Sequence, residues 1–311
     1  MSIVHFDSAI PDAERRERLF RGEIFVFSPT KHSRALVEHA RAMIEQAFSP
    51  RAPEHAQYEM KVEDFAALLG KLKPSFIHHP TSKALVRGIM EDIGADPALT
   101  YFDVPKMRSS TSDDYLTTGI ALAFPPHRDT WYAAPFCQVN WWMPIYDITS
   151  ENGMAFYPYY FDRPIKNNSS VYNYYQWNKT RATAHLHVGG TNTARIAPEA
   201  QEPVDHVPDA RYITAPGGLI LFSGAQLHAS LPNRSGRTRF SADFRTVHYD
   251  DVTARRGAPN VDSSSTGTAL RDFLRGTDHV RLPEELVRLY DSGDTNEDAM
   301  LVYQPDLPAH N

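Results

Sequence analysis

The stretch APGGLILFSGAQLHASLPNRSGRTRFSADFR, Ala215 to Arg245, reads as a piece of β architecture. Its apolar run Leu219 to Phe222 follows a Pro-Gly-Gly turn and ends in a second turn, and His228 then stands where a strand pair opens. Eleven residues further on comes Arg239, with Ser241 on the same face of a strand, since residues i and i+2 of an extended chain point to one side. A guanidinium fork takes a carboxylate bidentately and a serine hydroxyl adds one more hydrogen bond. The pair suits the far end of a dicarboxylic acid.

A second histidine lies upstream in FPPHRDTWYAAP, Phe124 to Pro135, where His127 and Asp129 are again two residues apart. Two histidines and one carboxylate form the facial set that holds non-haem Fe(II). His127, Asp129 and His228 supply it. Two other patterns compete. His248 and Asp250 repeat the spacing but follow the last core strand and are expected to be structural; His185 and His187 share one side of an extended segment but have no accompanying carboxylate.

The bulk numbers leave room for this chemistry and exclude others. The 311 residues, 41% apolar and 23% charged, suffice for one large domain. The single cysteine, Cys137, excludes a disulfide within the chain and thiolate zinc sites. A net charge of −6 argues against a broad nucleic-acid footprint. No secretory layout and no long apolar run is present, so a soluble, cytoplasmic protein without membrane contact is expected.

Outward from the two motifs, the texture from Thr100 to about residue 250 is short β runs separated by Pro, Gly and Asn: TTGIALAF, FCQVNWWMPIYD, GMAFYPYY, RYITAP, GLILFSG and RFSADFRTVHY. That predicts a mainly β sandwich or small barrel. Before it, GEIFVFS (Gly22 to Ser28) reads as a strand, followed by a helix after a capping Ser28 and Pro29, with Leu36, Val37, Ala40, Met43, Ile44 and Phe48 on one face. Further helices are expected over Val62 to Lys71 and Ser82 to Ile93, and a helical tail over Thr268 to Ser292 broken at Pro283. VDSSST, Val261 to Thr266, reads as a flexible loop. One domain, with helices flanking a β core, is the economical organisation. Adjacent Trp141 and Trp142 should face opposite sides of their strand.

Between Tyr159 and Ala210 lies an aperiodic insertion, and six of the fifteen tyrosines fall between Tyr157 and Trp177. These rings either line a lid over a substrate or pack as a structural or dimer contact, so monomer and homodimer both stay open. Trp131 and Tyr132, directly after Asp129, are expected to touch substrate; Arg245, in phase with Arg239, reaches the pocket or pairs with Asp243.

Through HRD, NWWMPIYDITSENG, APGGLILF, HASLPNRS and RFS, residues of about Gly119 to Tyr249, the chain resembles the Fe(II)/2-oxoglutarate-dependent dioxygenases, in particular the phytanoyl-CoA dioxygenase-like group. The resemblance implies a double-stranded β-helix (jelly roll, cupin-like), iron on His127, Asp129 and His228, and 2-oxoglutarate anchored by Arg239 with Ser241. It also implies that Trp142, Ser230 and Asn140 line the co-substrate pocket. The expected activity is O2-dependent hydroxylation, desaturation or cyclisation of a small metabolite, with release of succinate and CO2. Halogenating relatives lack a carboxylate where Asp129 stands, so its presence favours hydroxylation, or a desaturation or cyclisation variant. Pro216-Gly217-Gly218 replaces the family's Pro-Gly-Asp, and Pro158 is followed by YYFDRP, so substrate identity does not transfer. The alternatives are an iron oxygenase of the same fold without 2-oxoglutarate, and a silent cupin-like binding protein.

Overall fold

The structure is a computed structural model that describes residues 3–291 apart from 118, 122, 180–196 and 206–208. The chain opens with β1 (Val4–Phe6), α1 (Asp12–Leu19), β2 (Ile24–Phe27) and the helices α2 (Lys31–Phe48), α3 (Val62–His78) and α4 (Pro80–Asp92). The β region holds β3 (Thr100–Phe102), β4 (Lys106–Ser110), β5 (Val139–Pro144), β6 (Met154–Phe156), β7 (Leu219–Ser223), β8 (His228–Ser230) and β9 (Arg239–His248), with α5 (Tyr174–Lys179) between β6 and β7. It closes with α6 (Tyr249–Ala254), β10 (Leu274–Arg275) and α7 (Glu284–Val287).

Eight strands form one mixed sheet in the order β1-β2-β7-β5-β9-β3-β10, with β4 also paired to β9. A second sheet pairs β6 with β8 and is extended by bridges from His127 to His228 and from Phe156 to Ala210. Strand alternation decides what each face carries. Trp141 and Met143 pack outward into the main core with Leu36, Ile44 and Phe65 of the helices, whereas Trp142 packs with Ile220, Phe222, Met154 and Phe156 on the side of the small sheet. The two tryptophans thus diverge as expected. The fold is sheet-dominated with flanking helices.

Local chemistry explains the joints. α2 is capped by Thr30, not Ser28: the Thr30 side chain accepts from the Ser33 amide and the Ser33 hydroxyl accepts from the Thr30 amide. Gly217 sits at φ +82°, where a Cβ would lie 3.3 Å from the Ser33 carbonyl oxygen, so the turn into β7 can press against the start of α2 only with glycine there.

Several expectations change. α3 runs past Lys71 to His78 because Leu72, Lys73 and Phe76 continue its buried face. TTGIALAF forms no strand among its described residues; Gly119 at φ +60° turns the chain into a short 3-10 helix. RYITAP is not a strand, since only Ala210 just before it bridges to Phe156. The tail is largely non-helical: Leu274 and Arg275 pair instead with Phe102 and Tyr101, and α7 is only four residues long. VDSSST is tied down by hydrogen bonds described below.

Candidate metal and co-substrate site

His127 precedes a 3-10 turn at Asp129–Tyr132, and its backbone exchanges both hydrogen bonds with that of His228, at 2.9 and 3.0 Å. This bridge puts the two imidazoles side by side, ring centres 4.4 Å apart. Each imidazole Nδ1 lies against a carbonyl, that of Pro125 at 2.8 Å for His127 and that of Gln226 at 2.9 Å for His228. A carbonyl can only accept, so both Nδ1 atoms carry the proton and both Nε2 lone pairs are free. The Nε2 atoms lie 3.6 and 3.9 Å from Asp129 Oδ1. The three ligand atoms all fall within 4.8 Å of one another, the only such cluster of three or more His, Cys, Asp or Glu among the described residues.

The other carboxylate oxygen is already engaged. Asp129 Oδ2 accepts from the Asn140 side-chain amide at 2.8 Å and from that of Gln138 at 3.0 Å. Burial opposes the Asp129 charge, but the facing imidazoles and the Asn140 donor outweigh it and hold the carboxyl below its usual pKa range. Burial, aided by His127, pushes His228 down to about 4, so it is a neutral imidazole near pH 7.

Arg239 begins β9 and is 6% exposed. One terminal nitrogen, Nη1, donates to the carbonyls of Asn152 and Gly153 at 2.9 and 3.1 Å, and the guanidinium lies 5.7 Å from the Trp142 ring. Burial lowers its pKa to about 10, still charged. Its Nε, and the Oγ of fully buried Ser241, have no hydrogen-bond partner among the described residues. Buried donors left over in this way fit a carboxylate ligand. The imidazole lone pairs and Asp129 Oδ1 fit a divalent metal, and the two sets fit iron and 2-oxoglutarate together. Asp129, both histidines, Trp142, Ser230, Asn140, Arg239 and Arg245 line one cavity of about 760 Å³.

Not every expected residue takes the expected place. Asn140 lines the cavity, but its amide holds Asp129, a task shared with Gln138, which sequence reasoning missed although it stands in phase with Asn140 and Trp142 on the same stretch. Tyr132 lines the cavity, with its ring 5.5 Å from that of His127. Trp131 does not: it is fully buried and donates from Nε1 to Asp262 at 2.8 Å, because the 3-10 turn aims it away from the cavity into a cluster with Tyr157 and Ile165. Arg245 pairs with Asp103 and not Asp243, whose carboxylate is taken by Arg108 at 2.7 and 3.2 Å. The aromatic segment divides. Tyr172, Tyr174 and Trp177 line the cavity, while Tyr157 packs with Trp131 and Tyr175 is buried against Asp291. His248 caps α6 by accepting from the Asp250 amide, which leaves that pair structural. His185 and His187 lie outside the described residues.

Residues 24–241 match the family model "Phytanoyl-CoA dioxygenase (PhyH)", well over half of the chain. The chain belongs to this family of Fe(II)/2-oxoglutarate-dependent oxygenases, and with the His-Asp-His set in place its cofactors are iron and 2-oxoglutarate. No curated protein matches. Among solved structures, the chain is similar to EvdO2 from Micromonospora carbonacea var. aurantiaca, at 16% identity and TM-score 0.44, over 80% of this chain and 94% of that one. It is also similar to the non-heme monooxygenase ThoJ, at 15% identity and TM-score 0.42, over 88% and 92%. A third likeness is the non-heme alpha ketoglutarate dependent epimerase SnoN from nogalamycin biosynthesis, at 13% identity and TM-score 0.38, over 94% and 100%. At such values these likenesses add nothing to what the family and the site establish. No helix among the described residues is long and apolar enough to cross a membrane.

Proposed function

We propose that the chain hydroxylates a small organic molecule, with His127, Asp129 and His228 holding the iron and Arg239 with Ser241 holding the remote carboxylate of 2-oxoglutarate. With O2 as the oxidant, the bound pair would supply the oxidising chemistry: one oxygen atom goes to the substrate as hydroxyl and the other to the succinate that 2-oxoglutarate becomes on losing CO2. The observation that carries this reading is the pairing of a ready ligand set with the leftover buried donor of Arg239 in one cavity, with the unpartnered Ser241 hydroxyl two residues along the same strand face. The long order of the β strands, with the small sheet facing the large one, supports a double-stranded β-helix as the scaffold.

The chain's own residues act by placement. Pro125 and Gln226 carbonyls fix the imidazole tautomers, and Asn140 and Gln138 keep Asp129 ionised and oriented. That held carboxylate supports hydroxylation over halogenation. Trp142 forms a wall beneath the Arg239 guanidinium. Tyr132, Tyr172, Tyr174 and Trp177 form an aromatic wall that governs which molecule is oxidised.

Arg239→Leu tests the co-substrate assignment. Losing a charge-assisted bidentate contact, typically about 1.5 to 3 kcal/mol, should weaken 2-oxoglutarate binding by roughly tenfold to a hundredfold, with iron binding retained. An unchanged dissociation constant would make Arg239 a structural residue.

A further inference from the structure

The wall of the cavity built by β4, β9 and α3 carries more positive charge than the site described so far uses. On the β4/β9 pairing, Arg108 faces Ser241 and Lys106 faces Asp243, and on β5/β9 Asn140 faces Arg245, so these side chains share the face that carries Arg239. Four cations besides Arg239 line the cavity here, Lys73, Lys106, Arg108 and Arg245, against the carboxylates Asp103 and Asp243. Asp103 pairs with both Lys106 and Arg245, and Asp243 pairs with Arg108. Lys73 makes no ion pair among the described residues and gives its ammonium only to the Ile120 carbonyl. Asp272, also on the lining, takes the Tyr174 hydroxyl.

Two of these cations remain open to a ligand. Arg108 leaves 38% and Arg245 27% of the side chain accessible although both sit on the inner sheet face that lines the cavity. Arg108 lies 5.9 Å from the Phe124 ring, which in turn is 5.2 Å from the His127 ring, so the basic wall adjoins the metal set. Tyr132, Tyr172 and Trp177 line the same cavity, with ring centres 5.3 to 6.0 Å apart. A buried ammonium without a carboxylate is unfavourable unless a ligand completes it, and burial accordingly lowers Lys73 to about 7.

We infer that the substrate is an organic carboxylate, its acid group bound by Lys73 and Arg108 with Arg245 alongside, and its apolar body packed on Tyr132, Tyr172 and Trp177. This rests on the reading of Arg239 as the 2-oxoglutarate anchor, since otherwise the basic wall would belong to the co-substrate. Pairing of the incoming carboxylate with the Lys73 ammonium and Arg108 gives the site its selectivity: a neutral analogue of the same shape brings no counter-charge to the basic wall.

The test is isothermal titration of the oxygen-free enzyme at saturating Fe(II) and 2-oxoglutarate with three probes: 3-phenylpropanoate, 3-phenylpropanamide and phenyl phosphate. The carboxylate should bind about tenfold or more tightly than the amide, as a charge-assisted contact requires, and more tightly than the phosphate. Lys73→Met should lose most of that preference, Lys73→Arg should keep it, and neither should change the 2-oxoglutarate dissociation constant measured without probe. Because Lys73→Met breaks no ion pair and removes a buried charge, it should melt no lower than the parent. Equal binding of carboxylate and amide, no saturable binding of any probe, or equal loss of both probes in Lys73→Met would overturn the inference. Tighter phenyl phosphate binding would assign the wall to a phosphate and overturn it too. Weaker 2-oxoglutarate binding in Lys73→Met would move the lysine to the co-substrate site. Failure of the parent to bind 2-oxoglutarate at all would remove the Arg239 reading itself, and the titration without probe shows that separately.

Discussion

Asp129 offers a metal one oxygen, because the other is spoken for by two amides. That arrangement makes Asn140 a positioning residue: it fixes the carboxylate plane and favours its ionised form. Replacing Asn140 by Leu keeps the size and removes the donor. Outer partners of metal ligands typically matter by about 10- to 100-fold in metal affinity, so Fe(II) should bind weaker by that order while 2-oxoglutarate still adds to the iron-loaded protein. Equilibrium dialysis of Fe(II) under anaerobic conditions checks this, and parent-like affinity would contradict it. At this scale the two histidines and the carboxylate that come together were legible because their chemistry is written in residue type and, for His127 and Asp129, in two-residue spacing. Trp131 was not: a residue next to a ligand goes to the cavity or away from it according to whether the chain there is extended or turned, and the 3-10 turn at Asp129–Tyr132 sends it away. Gln138 was legible in principle, in phase with Asn140 two positions on, but an amide gives no motif.

The loop that carries Asp129 is held from outside the β core. Arg128, fully buried, donates to the carbonyls of Ala225, Tyr160 and Arg163 and reaches the Asp262 carboxylate at 3.1 Å. Asp262 also accepts from Trp131 and from the Ile165 amide, while Ser263 and Ser265 donate to the Thr130 carbonyl. One carboxylate therefore ties the Asp129 loop, the aromatic insertion and the segment after α6 together. Asp262→Ala leaves the Arg128 charge buried without its counter-ion, a change typically costing about 3 to 5 kcal/mol. Urea unfolding should show a loss of that size, and the variant should also hold Fe(II) less tightly; a loss under about 1 kcal/mol would contradict the anchoring role. A run of serines reads as flexible because composition records polarity and nothing about distant partners. The same limit hid the tail, where Leu274 and Arg275 become strand only by pairing with β3.

The whole molecule is a large sheet with helices on one face and a small sheet on the other, and the cavity is lined by residues of both sheets, α3 and α5, with the bridged His127 and His228 among them. The β core was legible since β5, β7 and β9 are runs rich in apolar, β-branched or aromatic residues set off by Pro, Gly and Asn, and α2 was legible from its helical spacing. Which strands neighbour one another was not, because β1-β2-β7 joins residues nearly 200 positions apart through backbone hydrogen bonds that any sequence can make. The central claim is that this scaffold brings His127, Asp129 and His228 together to hold Fe(II) with 2-oxoglutarate beside it. Anaerobic absorption titration measures it directly: adding both Fe(II) and 2-oxoglutarate to the parent should produce a weak visible charge-transfer band that neither gives alone. The band should be lost in His127→Ala, Asp129→Ala and His228→Ala with an unaltered circular dichroism spectrum. A band of undiminished strength in all three variants would contradict the assignment.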